Sequence, residues 1–423
     1  MRGVDDHPGL AGGDTDEVES PATPDPTADG DGSAPGPDGS VIRVRAEPVV
    51  EGLDLPNDLA DLGDGRLLVS DQTGLIYLVA DGELRDEPVL DLTGRTLEPN
   101  SGGGRQELGL AGFTPHPRFA DNGRLYVLFT TEPPDDAPFR RVDVLSEFEA
   151  GSPSLAPGES WTETVLLTLE QPRLGHVGGQ LAFGADGMLY VGLGDAERAE
   201  FAQDADTLQG SVIRIDVDEG DPYGIPADNP FVDGGGAPEV YSYGFRNPFR
   251  LTWDDELGLV VADPMWTAKD QEVNVAVSGA NYGYPVVPAA LPASSCYGSA
   301  DSTEPLPECA TGPDGERFEP PTVEFEGQIV SGAVRYTGAA IPELAGRVLV
   351  ADWRGSLIAT TPEPDQTRWL TEPVDVEVPT DLQWSGRFLW SLSQDGAGEV
   401  YLMVRSRSFA AGGGAVYRLV PAS

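Results

Sequence analysis

The chain has 423 residues and carries 71 acidic against 26 basic side chains, a formal charge of −45. That balance excludes the clustered cations needed to grip nucleic acid or anionic lipid. Two cysteines exclude a disulfide scaffold or a Cys-rich metal protein, and no apolar run is long enough for a membrane-spanning helix.

Glycine at 53 and proline at 38 residues suit many short strands joined by turns. Lys269 is the single lysine, and the other 25 cations are arginines. An acid-rich, lysine-poor chain predicts a halophilic protein. At 1 M salt, carboxylate repulsion is screened over about 3 Å. A merely acidic protein is the alternative.

Residues 1–40 hold ten acids, one arginine and almost nothing large and apolar. Such a segment buries too little surface to offset its chain entropy, so a disordered acidic tail or linker is predicted. It shows no signal-peptide pattern of a basic start and an apolar stretch. Leu10-Ala11-Gly12-Gly13 before an acidic, Pro- and Thr-rich run looks instead like the stretch after a lipoprotein signal. An extracellular or cell-surface location is the expectation.

Residues 41–423 read as one domain, itself acidic at −36. A first strand is predicted over 41–50. A turn glycine then precedes an apolar strand six times, at Gly65, Gly123, Gly187, Gly258, Gly346 and Gly386, with spacings of 40 to 88 residues. Further strands are predicted over 74–79, 142–148, 210–217, 355–360 and 414–420. Six strand-rich units predict an all-β, six-bladed β-propeller, with residues 41–50 closing the ring on the last blade. A pair of β-sandwiches is the runner-up. Cys296 and Cys309 sit in a Pro/Ser/Gly-rich loop and read as one disulfide or two free thiols.

Propeller ligand sites form at the mouth of the central channel, so unusual polar residues in loops matter most. Of three histidines, His7 is in the tail, and His116 lies in a Pro-flanked turn and reads as structural. His176, in Gly175-His176-Val177-Gly178-Gly179, has glycines that allow close approach and a ring suited to base chemistry near neutrality. A capped core histidine is the bland alternative. Asp195 ends the strand that follows and can accept from that ring; a turn aspartate is the alternative. Tyr243-Gly244-Phe245-Arg246-Asn247-Pro248 offers a rigid cation and an amide, suited to an anionic or quinone oxygen. The loops carrying Asp263, Pro264, Glu272 and Tyr282 offer oxygens to a hard cation such as Ca²⁺.

Together these residues resemble the soluble pyrroloquinoline-quinone (PQQ) dependent aldose dehydrogenases, the glucose/sorbosone dehydrogenase-like propellers. The resemblance runs over about residues 53–419. It is carried by 109–129 (GLAGFTPHPRFADNGRLYVLF), 176–195 (HVGGQLAFGADGMLYVGLGD), 203–218 (QDADTLQGSVIRIDVD), 222–232 (PYGIPADNPFV), 243–248 (YGFRNP), 281–285 (NYGYP) and 341–352 (IPELAGRVLVAD).

The resemblance implies His176 as general base for a sugar's anomeric hydroxyl, with Asp195 as its carboxylate partner. It implies Arg246 and Asn247 beside the quinone oxygens, and hydride transfer giving a lactone. It also implies calcium held largely by carbonyls around Asp263 and Pro264, a second calcium region at Glu272 and Tyr282, an aldose substrate and an external electron acceptor. Two features depart from it. No arginines stand near Val378-Pro379-Thr380-Asp381, and Trp353 replaces a lysine, with Arg354 adjacent. Arg335 and Arg354 can compensate, and Trp353 can stack on the quinone. The alternatives are a non-catalytic calcium-binding propeller for protein or glycan recognition, as in hedgehog-interacting proteins, and a calcium-dependent lactonase.

Overall fold

A computed structural model describes residues 41–100, 105–265, 271–285, 317–363, 369–379 and 386–422. The predicted tail, Lys269, Asp381 and the Cys296/Cys309 pair lie outside the described residues.

After β1 (Ile42–Leu53), strands follow one another in consecutive sheets. The first sheet orders β2 (Pro56–Asp61), β3 (Leu67–Asp71), β4 (Leu75–Ala80) and β5 (Glu83–Leu84), with β6 (Leu90–Asp91) also on β4. The second holds β7 (Leu110–Pro115), β8 (Arg124–Thr131), β9 (Arg141–Ala150) and β10 (Trp161–Gln171). The third holds β11 (Gly178–Phe183), β12 (Leu189–Leu193), β13 (Ser211–Ile215) and β14 (Val240–Tyr243). The fourth holds β15 (Arg250–Asp254), β16 (Gly258–Asp263), β17 (Gln271–Val275) and β18 (Val323–Phe325). The fifth blade is β19 (Val330–Arg335), β20 (Val348–Asp352), β21 (Leu357–Thr360) and β22 (Thr371–Glu377). The sixth is β23 (Arg387–Gln394), β24 (Val400–Ser406) and β25 (Gly414–Pro421), completed by β1.

The innermost strands touch in a closed circuit, β2 to β7, β11, β15, β19, β23 and back to β2. Apolar clusters fill the gaps between neighbouring blades. Leu128 and Leu145 of the second blade meet Leu181 and Val191 of the third, and Met403 and Val416 of the sixth meet Leu59 and Val69 of the first. Middle strands are covered on both faces, so β8 (RLYVLFTT) is apolar nearly throughout and buried at all but its ends. The outer strand β10 (WTETVLLTLEQ) alternates instead between exposed and covered positions. This is the six-bladed propeller expected from the repeats.

β1 closes the ring as expected, but it does more. It pairs antiparallel with β25, Ala46 opposite Leu419, and parallel with β22, Ile42 opposite Val374. The fifth and sixth blades thereby fuse into one eight-stranded sheet.

The repeat reading is corrected at its last copy. Five turn glycines stand between the first and second strands of their blades, where positive φ (80° at Gly187) turns the hairpin. Gly386 instead precedes the innermost strand β23. The equivalent hairpin of the sixth blade is Asp395-Gly396-Ala397-Gly398, with Gly398 at φ 80°. Both positions read as glycine before an apolar run, so composition alone does not separate them.

Candidate active site

In antiparallel blades the start of an innermost strand lies beside the end of the second. Gly178 pairs with Leu193, Arg250 with Ala262, and Val330 with Asp352. The loop before β11, the end of β12, the loop before β15 and the turns after β16 and β20 therefore share one end of the ring. His176, Asp195, Arg246, Asn247, Asp263, Pro264, Trp353 and Arg354 all stand on these segments.

His176 sits in a left-handed backbone conformation, φ 55°. Its loop is pinned from below by the fully buried Arg141, whose Nη1 donates to the carbonyls of Arg173 (2.5 Å) and Gly175 (2.9 Å). A Cβ at Gly194 would overlap the His176 carbonyl oxygen, so only glycine lets β12 end this close. The ring is held at both nitrogens. Nδ1 lies 2.5 Å from Asp195 Oδ1, and Nε2 lies 2.7 Å from Arg246 Nη2. A carboxylate can only accept and a guanidinium only donate, so the proton is on Nδ1 and the lone pair on Nε2. That is the tautomer a base working through Nε2 requires.

Asp195 is buried, and its Oδ1 also accepts from the Glu197 amide at 2.8 Å. Its own amide donates to the Arg246 carbonyl at 2.9 Å, linking the two loops. Arg246 is fixed a third time, by Nη1 to the Pro264 carbonyl at 2.8 Å. Asp263 organises this corner. Its Oδ2 and Oδ1 accept from the amides of Arg246 (2.9 Å) and Asn247 (2.7 Å). Burial pushes the Asp263 carboxyl up to about 6, while those two amides and the Arg246 charge pull the other way.

Several of the expected ligand groups also make contacts within the protein. Asn247 accepts from the Gly178 amide (2.8 Å) and donates to Glu107 Oε2 (3.1 Å). These contacts tie the arginine loop to the histidine loop and leave the second Nδ2–H of Asn247 to spare. Both Asp263 oxygens are taken by amides, and the Pro264 carbonyl by Arg246. Glu272 stands across the ladder from Asp263. Tyr282 is not part of that corner: its hydroxyl donates to the Val275 carbonyl (2.9 Å) and its ring stacks on Phe245. Among the described residues no group of three His, Cys, Asp or Glu is arranged to hold a metal.

Trp353 is buried against Trp390, centroids 4.7 Å apart and nearly parallel, with Phe388 beside them. Its Nε1 is buried without a hydrogen-bond partner among the described residues. Trp390 meets Phe249 edge-on at 5.5 Å, and Phe249 stands two residues after Asn247, so this aromatic wall adjoins the histidine corner. Arg354 is exposed beside it, its amide held by Asp352 Oδ1.

Sequence reasoning missed Glu107, which accepts from both Val177 and Asn247, and the aromatic partners Trp390 and Phe388. Glu107 directly precedes the motif at 109–129, a signal that was present. Trp390 reads from sequence as one more buried strand residue.

The glucose/sorbosone dehydrogenase family profile matches residues 53–377. The chain belongs to that family. It is 28% identical over 394 residues to the hedgehog-interacting protein of Mus musculus, covering 88% of this chain and 52% of that one. The chain thus spans about half the length of the curated relatives it matches first. It is 39% identical over 115 residues to the aldose sugar dehydrogenase YliI of Escherichia coli, covering 26% of this chain and 29% of that protein. Its fold matches the PQQ-bound aldose sugar dehydrogenase of Streptomyces coelicolor with a TM-score of 0.64 at 24% identity, covering 89% and 97% of the two chains.

Proposed function

We propose that the protein oxidises the anomeric carbon of an aldose to a lactone, using PQQ and an external electron acceptor. The observation that carries this is the His176 ring held between Asp195 and Arg246 with its lone pair on Nε2. The chain keeps donors suited to an acceptor-rich quinone: Arg246 Nη2, the unpartnered buried indole N–H of Trp353, and the exposed guanidinium of Arg354. When bound, PQQ supplies hydride acceptance from the sugar carbon.

Everything else falls to the protein. His176 Nε2 takes the proton of the anomeric hydroxyl. For that, Arg246 must release the ring from its Nη2, a donor that would then be available to hold the bound quinone. Asp195 then stabilises the imidazolium through Nδ1–H, and its burial keeps water from competing for that bond. Asn247 and Glu107 hold the histidine loop against the arginine loop. Calcium enters the proposal only as an ion taken by carbonyls around Asp263 and Pro264, with Glu272 and Tyr282 as a second region. The Asp263 carboxylate oxygens and the Pro264 carbonyl each already accept a hydrogen bond within the protein. A location at or outside the cell surface completes the reading.

The test is dye reduction by the purified protein supplied with PQQ, Ca²⁺ and a panel of aldoses. His176→Ala should cut turnover by about 100-fold or more while leaving the β-sheet circular dichroism unchanged. No dye reduction with any aldose overturns the reading. One set of observations favours a second reading, a non-catalytic recognition propeller. Trp353 stands where a cation is expected, Asn247 is already tied to Gly178 and Glu107, and the chain matches hedgehog-interacting proteins over most of its length. Calorimetry separates the two: PQQ uptake supports the dehydrogenase, and none supports recognition.

A further inference from the structure

At the same end of the ring, two arginines meet with no carboxylate paired to either among the described residues. Arg250 opens β15 and Arg405 lies near the end of β24, and both are fully buried. Arg250 Nη2 and Arg405 Nη2 donate to the same acceptor, Asn57 Oδ1, at 3.0 and 3.4 Å. Arg405 Nη1 donates to Gln72 Oε1. The faces of both guanidiniums are covered by aromatic rings, Arg405 over Trp390 at 3.4 Å and Arg250 over Phe249 at 4.3 Å.

Their edges are not satisfied. Nε and Nη1 of Arg250 and Nε of Arg405 are buried N–H groups with no partner among the described residues. No ion pair among the described residues involves either arginine, and the carboxylates that sense their charge are engaged elsewhere. Asp58 accepts from the Leu59 amide, Ser393 Oγ and Gln180 Nε2. Asp71 accepts from the amides of Asp54, Leu55 and Thr73. Glu107 serves Val177 and Asn247. Burial drives the Arg250 guanidinium down to about 10 and that of Arg405 well below its usual range, and the Arg250 charge adds to the effect on Arg405. Such a pair is costly in a low-dielectric interior unless a counter-charge reaches it.

We infer that Arg250 and Arg405 wall a buried site for a small monovalent anion of chloride's size. An anion in the plane of the guanidiniums would take the unpartnered edges and halve the local charge. The aromatic faces already occupy the other approach. Both side chains are closed off from bulk solvent. The pair adjoins the histidine corner through Phe249 and Trp390 but shares none of that corner's hydrogen bonds, and the inference does not depend on the proposed reaction.

The test uses the full chain. Crystals soaked in bromide should show an anomalous peak within hydrogen-bond distance of Arg250 Nη1 and Arg405 Nε. The melting temperature in potassium chloride should exceed that in potassium gluconate, at equal ionic strength, by about 2 °C or more. Arg405→Gln should abolish that difference. Where the variant does not fold, the bromide map on the unmodified chain decides. A map with no anomalous peak, or identical melting in the two salts, overturns the inference.

Discussion

His116 and His176 use opposite nitrogens as acceptor. His176 donates from Nδ1 to Asp195, whereas His116 Nδ1 accepts from the Arg118 amide at 3.0 Å and faces the Asn122 amide group, which leaves Nε2–H toward Asp218. Asp195→Asn keeps an acceptor for Nδ1–H but removes the charge that stabilises the imidazolium. Turnover in the dye assay should fall by about 100-fold or more with little change in KM. An unchanged turnover would mean that His176 is only a packed ring. His116 is held neutral, as a structural histidine should be. Burial, with Arg124 beside it, holds its pKa below the ordinary 6.5. The unfolded chain therefore binds a proton there before the folded one does, and stability is lost as pH falls below 6.5. In His116→Gln that contribution is absent, so the melting gap between wild type and variant should narrow from about pH 7.5 to about pH 5.5. At this scale His176, Asp195 and Arg246 were legible because glycines and a strand end mark them. The mutual contact of Glu107 and Asn247 was not legible because it joins separate loops.

The strand scale shows what a repeat can and cannot specify. Apolar runs after turn glycines locate the middle strands, since those are buried on both faces and have no alternative pattern. Phase within a blade is set by pairing partners, which is why Gly386 reads like the other five glycines yet precedes β23. The dual role of β1 was equally hidden. Its residues alternate as any edge strand does, and nothing local says that both edges will be paired. That role makes a sharp prediction. Val44 is fully buried between β22 and β25, so Val44→Asp places an unpaired carboxylate where two blades join. It should cost about 3 kcal/mol or more in chemical denaturation. Arg43→Asp, whose side chain is largely exposed, should cost under about 1 kcal/mol. Equal effects of the two would mean that the strap does not hold the ring.

For the whole molecule, closure and charge pull against each other. The ring forces the blades into contact through apolar clusters, while the chain as a whole carries −45. Attraction between blades is short-ranged, and the repulsion between carboxylates extends over a screening length of about 10 Å at 0.1 M salt and about 3 Å at 1 M. Between those limits the repulsive share should fade while the packing stays, so the melting temperature should climb steadily from about 0.1 to about 1 M salt. Screening depends on ionic strength, so potassium gluconate should give the same slope as potassium chloride. A chloride bound between Arg250 and Arg405 would add an offset that saturates at low concentration and leaves the slope alone. Calorimetric melting in both salts separates the two effects. A flat profile across that range would show that the acidic surface does not strain the ring and would remove the argument for adaptation to high salt.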